Sequence, residues 1–148
     1  MYSHPNLAHH LWAPAIQEVK TGKGKYKYYL YYSANPKAGG GKEIGVAVSD
    51  SPTGQFVDSG KSIVNTIHDG CHGQQIDVDV FVDPRSKKPY LYWGNGYMAG
   101  AELQKDMTTI KPQTLKVLTP KGAHCRIMPI VRLRTCSIAM VSTTLCGQ

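Results

Sequence analysis

Asp77, Asp79, Phe81 and Asp83 occupy alternate positions in the run Ile76-Asp77-Val78-Asp79-Val80-Phe81-Val82-Asp83, which is followed by the aromatic run Tyr90-Leu91-Tyr92-Trp93-Gly94-Asn95-Gly96. On a strand, alternation puts the three carboxylates on one face and Val78, Val80 and Val82 on the other, where burial suits them. Carboxylates beside aromatic rings suit chemistry at glycosidic bonds: one group supplies or tunes a proton while ring faces stack on a sugar. The structural alternative is that an aspartate at a strand end caps a turn.

The elements that would position these residues repeat. Tyr29-Leu30-Tyr31-Tyr32-Ser33 is echoed by Tyr90-Leu91-Tyr92-Trp93-Gly94, and each is followed by a run of small residues, Ile44-Gly45-Val46-Ala47-Val48 and Ala99-Gly100-Ala101-Glu102-Leu103. A repeat of roughly 60 residues with several short strands per unit is the mark of β-propeller blades, each of which needs neighbours to bury its faces. The expectation is an all-β chain of antiparallel four-stranded blades, with strands near 27–33, 43–49, 76–83, 89–94 and 98–103 and no helix longer than two turns. About two blades plus edges fit in 148 residues.

Several motifs together resemble glycoside hydrolase family 43: Trp12-Ala13-Pro14, Tyr28-Tyr29-Leu30-Tyr31-Tyr32-Ser33, Ile44-Gly45-Val46-Ala47-Val48-Ser49-Asp50-Ser51-Pro52-Thr53-Gly54, Ile76-Asp77 and Tyr90-Leu91-Tyr92-Trp93-Gly94-Asn95-Gly96. They fall in the family's order between about His10 and Gly122. The resemblance implies a partial five-bladed β-propeller and an inverting hydrolase of arabinose- or xylose-containing glycans, of arabinofuranosidase or xylosidase type. It implies three funnel acids: an Asp base, an Asp that tunes the acid's pKa, and a Glu acid. Asp77 matches the tuning aspartate, with Val78 where the family has proline. Trp12, Trp93 and Asn95 are the candidate substrate contacts, with Trp93 alternatively a core residue. Family members often have Asp after Trp-Ala-Pro, where Ala15 stands here.

The other two acids do not transfer. The family's base precedes the Trp-Ala-Pro strand, and no Asp occurs before Asp50. The acid is expected in an Arg-Glu-Gly/Ala-Pro segment after a turn like Thr119-Pro120-Lys121-Gly122, but Arg126-Ile127-Met128-Pro129 carries Ile at the Glu position. Inversion needs an acid and a base roughly 6.5–9.5 Å apart. Hydrolysis by this polypeptide is therefore not expected; the alternative function is a non-catalytic carbohydrate-binding or decayed propeller remnant.

Composition divides the chain in the same place. From Ala123 to Gln148 the only charges are Arg126, Arg132 and Arg134, and Cys125, Cys136 and Cys146 cluster there. The expected organisation is a partial propeller over 1–122 and a divergent or out-of-frame tail over 123–148.

The net charge of +7 raises nucleic acid, since Lys20, Lys23, Lys25 and Lys27 lie beside Tyr26, Tyr28 and Tyr29. A hairpin turn at Thr21-Gly22-Lys23-Gly24 edged by solvated lysines accounts for them instead. Lys37-Ala38-Gly39-Gly40-Gly41-Lys42 reads as a second hairpin loop, because a phosphate-binding loop needs a following helix. His68, Cys71 and His72 lack a metal-site spacing, although either histidine could reach sugar hydroxyls. The expected partner is a pentose-containing oligo- or polysaccharide, with no cofactor, metal, nucleic acid or membrane. No signal peptide is visible after Met1, and no apolar run reaches membrane-spanning length.

Overall fold

The computed structural model describes residues 7–36, 40–68 and 71–118, with backbone only for 7–10. The tail 123–148 and the Arg126–Pro129 segment lie outside the described residues. Among the described residues, eight strands form two antiparallel four-stranded sheets, each following chain order. The first contains β1 (Leu7–Gly22), β2 (Lys25–Pro36), β3 (Glu43–Ser49) and β4 (Val57–Asp58); the second contains β5 (Asp79–Val82), β6 (Pro89–Trp93), β7 (Ala99–Glu102) and β8 (Lys116–Val117). A short 3₁₀ turn at Pro112–Thr114 is the helical element among the described residues. Two sequential four-stranded meanders stacked on a common core are propeller blades.

Local chemistry accounts for the hairpins. The β1–β2 turn passes through Gly24 at φ 65°, a conformation that costs glycine little. At the β5–β6 turn, the Asp83 carboxylate accepts the Arg85 N–H at 3.0 Å and the Ser86 N–H at 3.3 Å. Asp83 is thus a turn residue, and the Ser86 hydroxyl, which also donates to it, holds its carboxyl below the ordinary range.

Tyr29, Tyr31, Ile44 and Val46 from the first sheet meet Leu91, Trp93, Ala99 and Ala101 from the second in a shared core. The Tyr31 hydroxyl donates to the Met107 carbonyl at 2.7 Å, joining blades across 76 positions of sequence. Burial pushes the Tyr31 phenol well above its usual range. In the second sheet, buried Glu102 forms ion pairs with Lys111 and, at 3.4 Å, Lys88.

The sequence echo holds for elements but is displaced by one residue for side chains. The two runs align Tyr31 with Tyr92, yet Tyr31 is fully buried in the core while Leu91 and Trp93, not Tyr92, enter it. Register explains the difference. Tyr32 pairs with Gly45 and Tyr92 with Gly100. A Cβ on Gly45 would lie 2.7 Å from the Tyr32 ring, and one on Gly100 would lie 2.8 Å from Tyr92. Each blade lays a tyrosine over a glycine on the next strand, and a slip of one residue exchanges the faces.

Candidate active site

Asp77 stands outside its expected strand. β5 begins at Asp79, and Asp77 has φ 57° in the left-handed region. The period-2 face of carboxylates therefore does not extend back to it. Val78 is in the core and Val80 packs against it, so the apolar half of the pattern is present, with Asp79 exposed.

A glycine-dependent clip positions Asp77. The Gln74 N–H donates to the Asn95 carbonyl at 2.9 Å, the Asn95 N–H returns to Gln74 at 3.0 Å, and the Gly94 N–H donates to Ile76 at 2.8 Å. The backbones approach so closely that a Cβ on Gly73 would sit 2.1 Å from the Asn95 carbonyl oxygen. At Gly94 the corresponding distance is 2.1 Å, to the Tyr97 oxygen. Their φ angles of 152° and 128° lie where L side chains are strained. With the segments locked, the Asn95 amide donates to Asp77 Oδ2 at 3.4 Å, while the carboxylate remains exposed. The structure therefore brings together two candidates, Asp77 and Asn95, that lie 18 positions apart.

Trp12 lies on β1, an edge strand of the first sheet that contacts β5, an edge strand of the second. Register shifts on both sides of Trp12, with Ala13 at φ 38°, bend the strand here. Trp12 is 38% exposed, and Lys42 Nζ sits 3.4 Å above its ring centroid. Trp93 is 2% exposed within the core. Its ring also borders a cavity of about 220 Å³ shared with Ile67, His68, Tyr97 and Leu115. His72 is exposed, and Cys71 is buried as a thiol in the core.

Two residues beside these candidates escaped sequence reasoning. Lys42 belongs to a loop read only as a flexible connection. Register could have found it, because Trp12 pairs with Ser33 and Ser33 with Ile44. Lys42, two positions before Ile44, falls on the same face. Gln75 is 1% exposed, inside the clip, and no hydrophobic period marks it.

A model of the Glycosyl hydrolases family 43 matches residues 2–131, past the 122/123 boundary suggested by composition. The chain is 37% identical over 110 residues to an arabinoxylan arabinofuranohydrolase of Bacillus subtilis (strain 168), covering 72% of this chain and 20% of that protein. It is 38% identical over 100 residues to xylosidase/arabinosidase 43A of Humicola insolens, covering 68% and 26% respectively. Among solved structures, a beta-xylosidase/alpha-arabinofuranosidase from a compost microbial metagenome, in complex with xylotriose, superposes with a TM-score of 0.60 at 28% identity over 76% of this chain and 39% of that chain. The alpha-L-arabinanase of Cellvibrio cellulosa, at a TM-score of 0.57 and 23% identity over 75% and 35%, shows the same fold. The chain thus spans 20% and 26% of the two curated relatives.

Proposed function

The chain belongs to glycosyl hydrolase family 43, and we propose that its two sheets are neighbouring blades of an inverting hydrolase of arabinose- or xylose-containing polysaccharides. Asp77 is the carboxylate that tunes the general acid, Asn95 orients it, and Trp12 offers a ring face to a pentose. Trp93 shapes the blade core behind them and reaches a sugar only through the adjoining cavity. The observation that carries this reading is the clip, which holds an exposed carboxylate in a left-handed conformation at the head of an edge strand. Such backbone strain persists where surrounding structure over-determines it, commonly at functional sites. The relatives' names, which specify arabinoxylan, xylosidase and arabinosidase activities, support the substrate class.

Tuning is not turnover. Asp77 can modulate a neighbouring acid electrostatically, but protonating the leaving oxygen and activating water require two further groups. A general acid or base typically contributes roughly 10²–10⁴-fold, and neither has been assigned to a residue of this chain. We expect this polypeptide to bind pentosides without hydrolysing them.

The test measures nitrophenyl arabinofuranoside and xyloside turnover beside calorimetric binding of xylo- and arabino-oligosaccharides. Binding without turnover, weakened by Trp12→Ala, supports the reading. Hydrolysis by the unaltered chain would overturn the incomplete-site argument, and absence of all pentoside binding would overturn the substrate assignment.

A further inference from the structure

The clip sets the only Asn-Gly pair of the sequence, Asn95-Gly96, against Asp77. The fold demands a glycine there. Gly96 has φ 87°, and a Cβ on it would lie 2.9 Å from the His72 carbonyl oxygen, so no side chain fits after the asparagine whose amide faces Asp77. Asparagine is among the chemically labile residues, and most so before glycine, where no Cβ shields the peptide nitrogen that attacks its side chain.

The reaction needs only water. The Gly96 nitrogen bonds to Asn95 Cγ and gives up its proton, the Cγ–Nδ2 bond breaks, and ammonia leaves a cyclic succinimide. Water then opens the ring at either carbonyl, giving aspartate or isoaspartate, so the sum is amide plus water to carboxylic acid plus ammonia. The clip does not obstruct closure: its bonds use the Asn95 N–H, the Asn95 carbonyl oxygen and the Gly94 N–H, and none of these groups loses or gains a bond as the ring forms. Among the described residues, the Gly96 N–H donates no backbone hydrogen bond. The Asn95 carboxamide is tethered to Asp77 at 3.4 Å, long for an N–H···O contact, and the exposed Asp77 carboxylate beside it admits water.

We propose that Asn95 is a modification site, converted by water without an enzyme to aspartate and isoaspartate, and that the conversion removes the group positioning Asp77 and opens the clip. Either product loses the amide donor that faces Asp77 Oδ2. Aspartate puts a second negative charge in its place, which repels the first. Isoaspartate goes further, because the main chain then runs through Cβ and Cγ and the former Asn95 carbonyl becomes a pendant carboxylate. Gly73 packs so closely that even a Cβ on it would lie 2.1 Å from the Asn95 carbonyl oxygen, leaving no room for another oxygen. The conversion depends on the clip and not on which sugar the chain takes.

The test incubates the full folded chain in mildly alkaline buffer and follows each asparagine by peptide mass spectrometry, with fragmentation that separates aspartate from isoaspartate. Asn95 should convert about tenfold or more faster than Asn35, whose successor Pro36 has no N–H, and Asn65, which precedes branched Thr66, a barrier difference of about 1.4 kcal/mol or more. The urea midpoint should fall as isoaspartate accumulates. Asn95→Gln keeps a carboxamide but must close a larger ring, so it should neither convert nor lose its midpoint in parallel incubation. Conversion seen only after unfolding in urea would show that the clip shields the pair, and would overturn the proposal. So would conversion of Asn35 or Asn65 at the rate of Asn95. Isoaspartate formation with an unchanged midpoint, or an equal fall in Asn95→Gln, would overturn the claim that the modification opens the clip.

Discussion

Replacing Gly94 by alanine tests whether the clip is held by backbone approach rather than by side-chain packing. Two costs add. Placing an L residue at φ 128° is strained by about 1–3 kcal/mol. The new Cβ would also lie 2.1 Å from the Tyr97 oxygen and 2.9 Å from its carbonyl carbon. Both are main-chain atoms, so no side chain can rotate away and the strand must shift. That shift threatens the Gly94-to-Ile76 bond and the reciprocal Gln74–Asn95 pair, each with a net worth of about 0.5–1.5 kcal/mol. The expected loss is about 3 kcal/mol or more. Gly60→Ala is the internal control, because Gly60 has φ 75° and nothing within 4 Å of its Cβ position. It should cost only about 1–2 kcal/mol. Urea unfolding followed by tryptophan fluorescence compares the variants through their midpoints, provided that the slopes agree. If Gly94→Ala and Gly60→Ala differed by less than about 0.5 kcal/mol, the size of an ordinary surface effect, the close-approach argument would be wrong.

Tyr31→Phe should destabilise the chain by about 1–3 kcal/mol, because the buried Met107 carbonyl loses the hydroxyl that reaches it; an unchanged urea midpoint would refute the role given to this bond. The hydrogen bond from Lys111 holds the Glu102 carboxyl below its ordinary 4.5, so its stabilisation is present above pH 4.5 and lost as pH falls through the lower folded value. Lys111→Met should accordingly move acid unfolding to higher pH, measured by circular dichroism during acid titration, with no movement counting against the pairing. Ile16 and Val57 are 56% and 67% exposed, so Ile16→Lys with Val57→Lys should change stability by no more than about 0.5 kcal/mol per site. The same pair should reduce self-association in sedimentation velocity, and a large loss of stability would show that these side chains are packed rather than exposed.

The amino-acid pattern determined the all-β class, the repeated pairs of long strands and the hairpin between them, because β-branched and aromatic alternation and glycine turns act over a few residues. It also placed β2 and β3 closely: the expected strands 27–33 and 43–49 lie within Lys25–Pro36 and on Glu43–Ser49. Motif order brought Asp77, Asn95 and Trp12 forward as candidates. Local pattern could not decide which face each residue took. The letters aligned Tyr31 with Tyr92, but the register that seats Tyr32 over Gly45 and Tyr92 over Gly100 displaced the correspondence by one and sent Trp93 inward. Likewise, Asp77 left the strand because three backbone hydrogen bonds from a segment nearly twenty positions away compete with its continuation. Lys42 reached Trp12 only through two successive strand pairings. These outcomes belong to tertiary structure because cross-strand partners are set by register and close packing, neither of which is contained in the local order of residues.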